Sequence, residues 1–306
     1  MKRLAVSVVI CVTLPARIIA ADPFSGRWDI TVKTANATYP DWLEVVDAGA
    51  KMQIRYQPSG GSVRPVKEAK IESDHLILTV MDGGKQGPTV WDLTVAGDRI
   101  SGVQKTGGHE SATLNGVRAP TLDRPMPKRW SKPESLFNGK DLTGWEPDKP
   151  AINHWVAKDN ELVNEAHGAN LRGTRKFDDF KLHLELNCPK GGNSGVYLRG
   201  RYEMQVEYEE TPEDMFHAMG SIYGMVPVSE VLPPTPGQWE SFDITLVGRH
   251  VTIVRNGKKI IDNQEIAGIT GGAIDANEGE PGVFYIQGDH TGGMKYRNIM
   301  ISVPQK

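Results

Sequence analysis

The stretch that decides the fold reads FKLHLELN and runs from Phe180 to Asn187. Its leucines alternate with polar residues, so an extended chain would have one apolar face and one polar face that carries His183 and Glu185. A period of two residues is typical of a β-strand that packs one face on a core and turns the other toward water. The stretch therefore predicts a strand of an antiparallel sheet.

The same pattern continues through the C-terminal half of the chain. Further alternating runs occupy residues 195–198, 202–208, 242–247, 251–254, 283–287 and 295–302. Asn256 and Gly257 separate two of these runs, and an Asn-Gly pair accepts the positive φ angles of a type I′ hairpin turn. Many short, evenly spaced strands with no long amphipathic helix predict an all-β fold, a two-sheet jelly-roll sandwich.

The N-terminal half has its own short strands, separated by Gly, Asp and Pro turns. They predict a small antiparallel β barrel or sandwich, in which Trp28 and Trp91 are expected in the core rather than stacked on a ligand. Prolines 120, 125, 127 and 133 then mark a semi-rigid linker. We expect an accessory β domain over residues 22–117, the linker over 118–134 and the sandwich over 135–306.

The first residues resemble an export signal. Lys2 and Arg3 precede an apolar run over residues 4–14, and small residues follow at 20 and 21. We therefore expect residues 1–21 to be a cleaved signal peptide and the protein to be periplasmic or secreted. The run is too short to span a bilayer. Cleavage would remove Cys11 and leave Cys188, which we expect to be buried and inert.

Charge and motifs argue against several function classes. The 306 residues include 35 Lys and Arg against 38 Asp and Glu, a net charge of −3, so no excess of basic residues points to nucleic acid. The sequence also lacks a zinc-protease helix, a nucleophile elbow, a Walker loop and a dinucleotide fingerprint. The expected partner is a small molecule, and the chain is not expected to span a membrane.

A second polar row lies on the predicted strand 202–208, where Glu203, Gln205 and Glu207 share one face. If neighbouring strands turn such rows to one side of the sheet, the rows form a trough for a polyhydroxylated ligand. Otherwise the rows are only the solvent-exposed faces of surface strands. The short Arg199-Gly200-Arg201 turn is expected to bring both arginines beside Glu203. A guanidinium there could orient the carboxylate or stabilise an oxyanion.

An ordered set of motifs runs along the C-terminal half of the chain. They are FNGKDLTGW at 137–145, FDDF at 177–180, NSGVYLR at 193–199, YEMQV at 202–206, PGQWE at 236–240, NG at 256–257 and YRNI at 296–299. Over residues 135–304 the set resembles the 3-keto-disaccharide hydrolase domain family. The resemblance implies a concanavalin A-like lectin and glucanase fold with its sugar site on a concave face. One departure is Gly288, an extra glycine before Asp289 and His290.

The resemblance also implies an activity, the cleavage of 3-keto-glycosides. A ketone at C3 acidifies the C2 proton, so the group at C1 can leave by elimination, and water can then add. In this hypothesis Glu203 is the base, Arg199 and Gln205 hold the sugar and its enolate oxygen, and His290 or Asp289 assists the leaving group. The candidate catalytic residues are thus Glu203, Arg199, His290 and Asp289, and the candidate substrate-binding residues are Asn193, Gln205, Glu185, Tyr223, Trp239 and Gln287.

Two other functions remain open. Glu203 and Glu207 superficially resemble the carboxylate pair of retaining glucanases, although Gln205 stands where those enzymes place an acid. A non-catalytic lectin could use the same trough. The sequence requires no cofactor, its histidines lack metal-ligand spacing, and a structural or catalytic divalent cation such as Ca²⁺ is compatible with a lectin-like sandwich.

Overall fold

The computed structural model describes residues 22–47, 52–82, 86–208, 212, 214–233 and 235–305. The expected signal peptide, residues 1–21, and Cys11 within it lie outside the described residues. Within the described part the fold is almost entirely β, and a short 3-10 turn lies at Pro150–Ile152. The predicted all-β class is confirmed. No helix among the described residues is long and apolar enough to cross a membrane.

The N-terminal half forms one antiparallel sheet of nine strands in the order β4-β3-β2-β1-β9-β8-β7-β6-β5. The strands are β1 (Gly26–Lys33), β2 (Thr38–Asp47), β3 (Met52–Gln57), β4 (Arg64–Pro65), β5 (Glu68–Glu72), β6 (His75–Met81), β7 (Thr89–Ala96), β8 (Arg99–Thr106) and β9 (His109–Arg118). The sheet curls around its own apolar cluster. Trp28 and Trp91 have no exposed surface there, which confirms that they are core residues.

The C-terminal half forms a sandwich of two antiparallel sheets. The larger sheet has the order β12-β13-β22-β15-β18-β19-β20, with β10 also paired to β22, and the five-stranded sheet has the order β11-β14-β21-β16-β17. The strands are β10 (Glu134–Ser135), β11 (Trp145–Pro147), β12 (Trp155–Lys158), β13 (Glu161–Asn164), β14 (Leu171–Phe177), β15 (Phe180–Asn187), β16 (Asn193–Leu198), β17 (Tyr202–Glu207), β18 (Trp239–Val247), β19 (His250–Arg255), β20 (Lys258–Glu265), β21 (Gly282–Ile286) and β22 (Met294–Ser302).

The core of the sandwich lies between the apolar faces of these sheets. The leucines of β15 and the inward residues of β16, β17 and β21 belong to one buried cluster. Phe180 of one sheet meets Phe284 of the other edge to face, with ring centroids 4.9 Å apart. The hairpin between β19 and β20 has φ of 50° at Asn256 and 77° at Gly257, as a type I′ turn requires. The predicted two-sheet sandwich is thus confirmed.

The two polar rows seen in the sequence lie on different sheets. The row of His183 and Glu185 belongs to β15 of the larger sheet, whereas the row of Glu203, Gln205 and Glu207 belongs to β17 of the five-stranded sheet. Because both strands turn their apolar faces to the shared core, their polar faces point to opposite sides of the sandwich. The expectation of one trough that joins the two rows is therefore wrong.

The N-terminal sheet contacts the sandwich closely. Trp42 of β2 has no exposed surface and packs with the core cluster of the sandwich, not with the core of its own sheet. Arg27 of β1 pairs with Glu265 of β20 at 2.5 Å, and Arg249 donates a hydrogen bond to the carbonyl of Pro120 at 3.0 Å. The expected boundary at 118–134 stays a prediction, but the residues on its two sides share a buried interface.

Candidate active site

A pocket of about 330 Å³ opens on the outer face of the five-stranded sheet. Seven of the ten candidate site residues line it: Asn193, Glu203, Gln205, Tyr223, Gln287, Asp289 and His290. They come from β16, from β17 and from the segments that follow β17 and β21. The structure thus brings together most of the residues that the sequence motifs suggested.

Strand register fixes the layout of the pocket floor. In the β16–β17 pair, Tyr197 lies opposite Glu203, Gly195 opposite Gln205, and Asn193 opposite Glu207. Since side chains alternate along each strand, all of these face the pocket while their sequence neighbours enter the core. The floor is therefore a trough with a Tyr197–Glu203 end and an Asn193–Glu207 end, about 13 Å apart along the strand.

Glu203 is a buried acid of this floor with a perturbed pKa. The residue is 5 % exposed, and burial raises the pKa of its carboxyl group from 4.5 to about 7, although the Tyr197 hydroxyl and the charge of His290 oppose the rise. A Cβ at Gly195 would lie 2.3 Å from Glu203 Oε1, so the carboxylate occupies space that only a glycine leaves open. A carboxyl group with a pKa near neutrality is well suited to remove a proton.

Asp289 and His290 form an ion pair whose charges act on the Glu203 carboxyl group across the pocket. Asp289 Oδ1 lies 2.9 Å from His290 Nδ1, and this contact raises the pKa of the imidazole. The negative charges of Asp289, Glu203 and Glu207 act in the same direction, while partial burial opposes them. The same contact lowers the pKa of the Asp289 carboxyl group. His290 is thus favoured as a cation whose Nδ1 is oriented by Asp289.

Asn170 holds the loop that carries this pair. Its Oδ1 accepts hydrogen bonds from the N–H groups of Gly288, at 2.7 Å, and Asp289, at 3.1 Å, and its Nδ2 donates to Asp289 Oδ2 at 3.0 Å. A Cβ at Gly288 would lie 2.2 Å from the carbonyl oxygen of Ala169. The extra glycine therefore lets the loop pass close to the backbone at Ala169, and Asp289 and His290 then face the pocket. Sequence reasoning missed Asn170, which lies outside the motifs.

Tyr197 is a second residue that sequence reasoning missed, although it lies within the NSGVYLR motif. Gln287 Nε2 donates a hydrogen bond to its hydroxyl oxygen at 2.7 Å, and the hydroxyl lies close to the Glu203 carboxylate. Burial, together with the charge of Glu203, raises the pKa of the phenol far above its usual value. Tyr197 therefore stays neutral and can donate a hydrogen bond in the pocket.

Glu207 is held at the other end of the trough by two amides. Asn193 Nδ2 donates to its Oε1 at 2.8 Å, and Gln205 Nε2 donates to its Oε2 at 2.7 Å. The side chain of Gln205 thus supports Glu207 in this structure.

Arg199 and Arg201 do not reach the pocket, so the expectation that their turn places both beside Glu203 is wrong. Arg199 is 1 % exposed, donates to the carbonyl of Gly248 and to Asp178 Oδ1, and lies over the ring of Tyr202 at 5.2 Å. Tyr202 faces the core because it alternates with Glu203. Arg201 instead pairs with Asp275 at 2.7 Å.

Glu185 and Trp239 are also absent from the pocket, because both belong to the larger sheet. Arg297 links them: its Nε donates to Glu185 Oε2 at 2.6 Å, and its guanidinium lies 3.9 Å from the centroid of the Trp239 ring. This cluster lies on the outer face opposite the pocket. The expectation that the two residues contact the same sugar as Glu203 is therefore wrong.

Metal and thiol chemistry find little support in the part of the chain that the structure describes. That part contains no group of three or more His, Cys, Asp or Glu side chains arranged to hold a metal ion. Cys188 is buried, and burial raises the pKa of its thiol to about 12. A thiol of this kind is a poor nucleophile at neutral pH, in line with the expectation of an inert cysteine.

A polar pocket of this size that encloses a buried carboxyl group with a raised pKa is a candidate binding or catalytic site for a small polar molecule. Sequence comparison identifies the family of the chain. Residues 132–302, more than half of the chain, match the family described as the 3-keto-alpha-glucoside-1,2-lyase-like domain. The chain belongs to this family, which confirms the resemblance noted in its motifs.

Three of the solved structures that resemble this chain each align with a little over half of it. A candidate glycosyl hydrolase from Parabacteroides distasonis shares 26% identity over 58% of this chain and 92% of that one, with a TM-score of 0.49. A laminarinase from Flavobacterium shares 13% identity over 58% of this chain and all of that one, with a TM-score of 0.37. A carbohydrate-binding module from Bacillus subtilis shares 11% over 53% of this chain and 97% of that one, with a TM-score of 0.33. Among curated proteins no match is found.

Proposed function

We propose that this protein cleaves 3-keto-glycosides by removing the C2 proton and eliminating the group at C1. The observation that carries the proposal is the buried Glu203 carboxyl group, with a pKa of about 7, in a pocket of sugar size. The C2 proton of an ordinary glycoside is not acidic enough for such a base. The ketone at C3 changes this, because the electron pair left at C2 is delocalised onto the ketone oxygen.

The reaction balances with the residues of the pocket. Glu203 takes the proton from C2, and the C2–H electron pair forms an enolate with C3. The enolate then re-forms the ketone, C1 and C2 become double-bonded, and the C1–O bond breaks. His290, a cation beside Asp289, gives a proton to the departing oxygen. Water finally adds its hydroxyl to C1 and a proton to C2.

The enolate needs stabilisation that Arg199 cannot supply from its buried position. Two pocket groups can supply it: the positive charge of His290, and the neutral hydroxyl of Tyr197, which is released from the Glu203 carboxylate once Glu203 has taken the proton. Gln287 fixes the Tyr197 hydroxyl through its hydrogen bond, so this donor is preorganised. Asn193, together with Gln205, keeps Glu207 in place and can contact sugar hydroxyls at that end of the trough.

The geometry disfavours a conventional retaining glycosidase. That mechanism needs two carboxyl groups about 5 Å apart. Glu203 and Glu207 are four residues apart on one strand, about 13 Å at Cα. The Glu207 carboxylate is also held in place by the amides of Asn193 and Gln205.

A purely sugar-binding protein is disfavoured for a different reason. Keeping a carboxyl group buried lowers the stability of the protein when that group ionises, and simple sugar binding does not require it. The buried Glu203 therefore favours catalysis over binding alone.

The direct test compares two substrates that differ only at C3. Purified protein is incubated with 4-nitrophenyl glucoside and with its 3-keto derivative, and nitrophenol release is measured. We expect release from the 3-keto compound in excess of the spontaneous rate and none from the parent glucoside. Equal release from both would contradict the proposal and favour a conventional glycosidase, while no release from either would favour a binding protein.

A further inference from the structure

The N-terminal sheet contributes to the wall of the pocket. The segment between β3 and β4 reaches over the sandwich, and its residues Ser59, Gly60 and Gly61 line the pocket together with Gly271 and the residues after it. No motif of the matched family includes this segment, because the family match begins at residue 132. The pocket is therefore built by both halves of the chain.

Buried polar groups hold this segment in place from below. Asp41 is 3 % exposed, and its Oδ1 accepts a hydrogen bond from the N–H of Ser59 at 2.7 Å. Gln57 is 1 % exposed, and its Nε2 donates to the carbonyl of Pro58 at 2.7 Å and to that of Gly61. Asp41 and Gln57 contact the segment on its inner side, and Ser59 and Gly60 remain exposed on the side of the pocket.

The sandwich holds the same segment from the other side. The N–H of Gly60 donates to the carbonyl of Gly271 at 2.5 Å, and a Cβ at Gly271 would lie 2.2 Å from the carbonyl oxygen of Gly61. Ser62 Oγ lies 2.7 Å from His217 Nε2, and the other ring nitrogen of His217 lies 2.9 Å from Asp214 Oδ1. This chain of hydrogen bonds fastens the N-terminal sheet to the rim of the pocket.

Neighbouring contacts show which end of the trough the segment closes. A Cβ at Gly272 would lie 1.9 Å from the Tyr197 hydroxyl, so the glycines that meet the segment stand at the Tyr197–Glu203 end. On the same side, the N–H of Tyr223 donates to the carbonyl of Glu203 at 3.0 Å. The centroid of the Tyr223 ring lies 5.0 Å from that of the His217 ring.

The opposite end of the trough is formed without the N-terminal sheet. The N–H of Asn193 donates to Thr291 Oγ1 at 2.6 Å, which places the residue after His290 at the Asn193–Glu207 end. The loop that carries the proposed acid is therefore fastened at this end, and we assign the leaving group to the same end, away from the segment at residues 59–61.

We propose that residues 59–61 close the Tyr197–Glu203 end of the trough and bind the outer hydroxyl groups of the keto sugar ring. The inference rests on the proposed function, because the assignment of His290 to the leaving oxygen places the leaving group at the other end. The Ser59 hydroxyl group at the pocket wall suits a sugar hydroxyl group. The enzyme then accepts a keto sugar only as the terminal residue of a saccharide. The N-terminal sheet causes this restriction because it closes the pocket beyond that residue.

The test places a bulky side chain on the segment. Ser59→Trp is compared with Asn36→Trp, a matched change in the exposed turn between β1 and β2, where the backbone N–H is likewise bonded to a side-chain oxygen, Thr34 Oγ1. Both variants are assayed on two 3-keto-glucosides, one with nitrophenol and one with glucose as the leaving group. Thermal unfolding of both variants confirms that they fold.

The expected result is a rise in KM of at least about tenfold for both substrates in Ser59→Trp, and none in Asn36→Trp. A substrate with a further sugar attached to the outer side of the keto ring should not be cleaved by the wild-type protein. An unchanged KM, a rise confined to the substrate with the larger leaving group, or cleavage of the extended substrate would overturn the proposal.

Failure of the proposed function gives a different result. If the wild-type protein cleaves no 3-keto-glucoside, calorimetric titration with a glucose disaccharide replaces the kinetic assay. Ser59→Trp should then weaken binding by at least about tenfold relative to Asn36→Trp. Equal binding by the two variants, or no binding by the wild-type protein, would overturn the inference about the segment.

Discussion

Replacing Glu203 by Gln should make the protein more stable at alkaline pH while it removes the catalytic base. The change keeps the shape of the side chain but removes its charge. Burial raises the pKa of the folded-state carboxyl group to about 7 from 4.5. The folded protein therefore holds a proton that the unfolded chain has already released between these two values, and wild-type stability falls as pH rises through this window.

The size of the effect follows from the pKa difference. The rise from 4.5 to about 7, at about 1.4 kcal/mol for each tenfold change in the ionisation constant, corresponds to a loss of between about 3 and 4 kcal/mol in the free energy of unfolding. This loss is absent at pH 4, grows between pH 4.5 and 7, and is complete above pH 7. Glu203→Gln does not titrate, so its stability relative to the wild type should increase by up to about 3 kcal/mol from pH 4.5 to pH 8.

Urea unfolding at pH 4.5, 6 and 8 measures this difference. Glu146→Gln is the control, since Glu146 is an exposed residue on β11 of the same sheet. The control should show no comparable gain. If Glu203→Gln followed the same pH dependence as Glu146→Gln, or were less stable than the wild type at pH 8, the Glu203 carboxylate would not be desolvated as the structure indicates.

Four other outcomes are expected. His290→Ala should lower kcat by about 10² or more for a sugar leaving group and less for nitrophenol, which leaves without a proton; equal losses would contradict its role as the acid. Asp289→Asn removes the contact that raises the pKa of His290, so the alkaline limb of the kcat profile should move to lower pH. Gly195→Ala places a Cβ 2.3 Å from Glu203 Oε1 and should lower kcat with little loss of fold, as circular dichroism can check. Export predicts that mass spectrometry of the exported protein finds a new N-terminus near residue 21; an intact first methionine would refute it.

The sequence predicts local features of this protein well. Alternation along FKLHLELN and YEMQVEY assigned the strands and their polar faces, because side chains alternate wherever a chain is extended. Asn256-Gly257 predicted a hairpin because few other pairs accept two positive φ angles. The motifs NSGVYLR and YEMQV, together with residues 287–290, supplied seven of the fifteen residues that line the pocket.

The sequence did not predict which strands share a sheet. Glu185 looked like a neighbour of Glu203, but β15 pairs with β18 and β22, and β17 pairs with β16. Such pairing is set by long-range packing and leaves little trace in alternation. Arg199 was misplaced for a related reason: its side chain packs on Tyr202, on the core side of β17. The wall formed by residues 59–61 could not be inferred either, since it depends on how the two halves dock.

The central claim is that cleavage proceeds through loss of the C2 proton, and solvent deuterium tests it most directly. A 3-keto-glucoside is cleaved in D₂O by the wild-type protein, and the sugar product is analysed by NMR for deuterium at C2. Reactions without enzyme and with Glu203→Gln measure spontaneous exchange at this acidic position. Elimination followed by hydration predicts one deuterium at C2 in the enzymatic product, formed faster than exchange in either control. Enzymatic release of the leaving group with the original hydrogen retained at C2 would contradict the account.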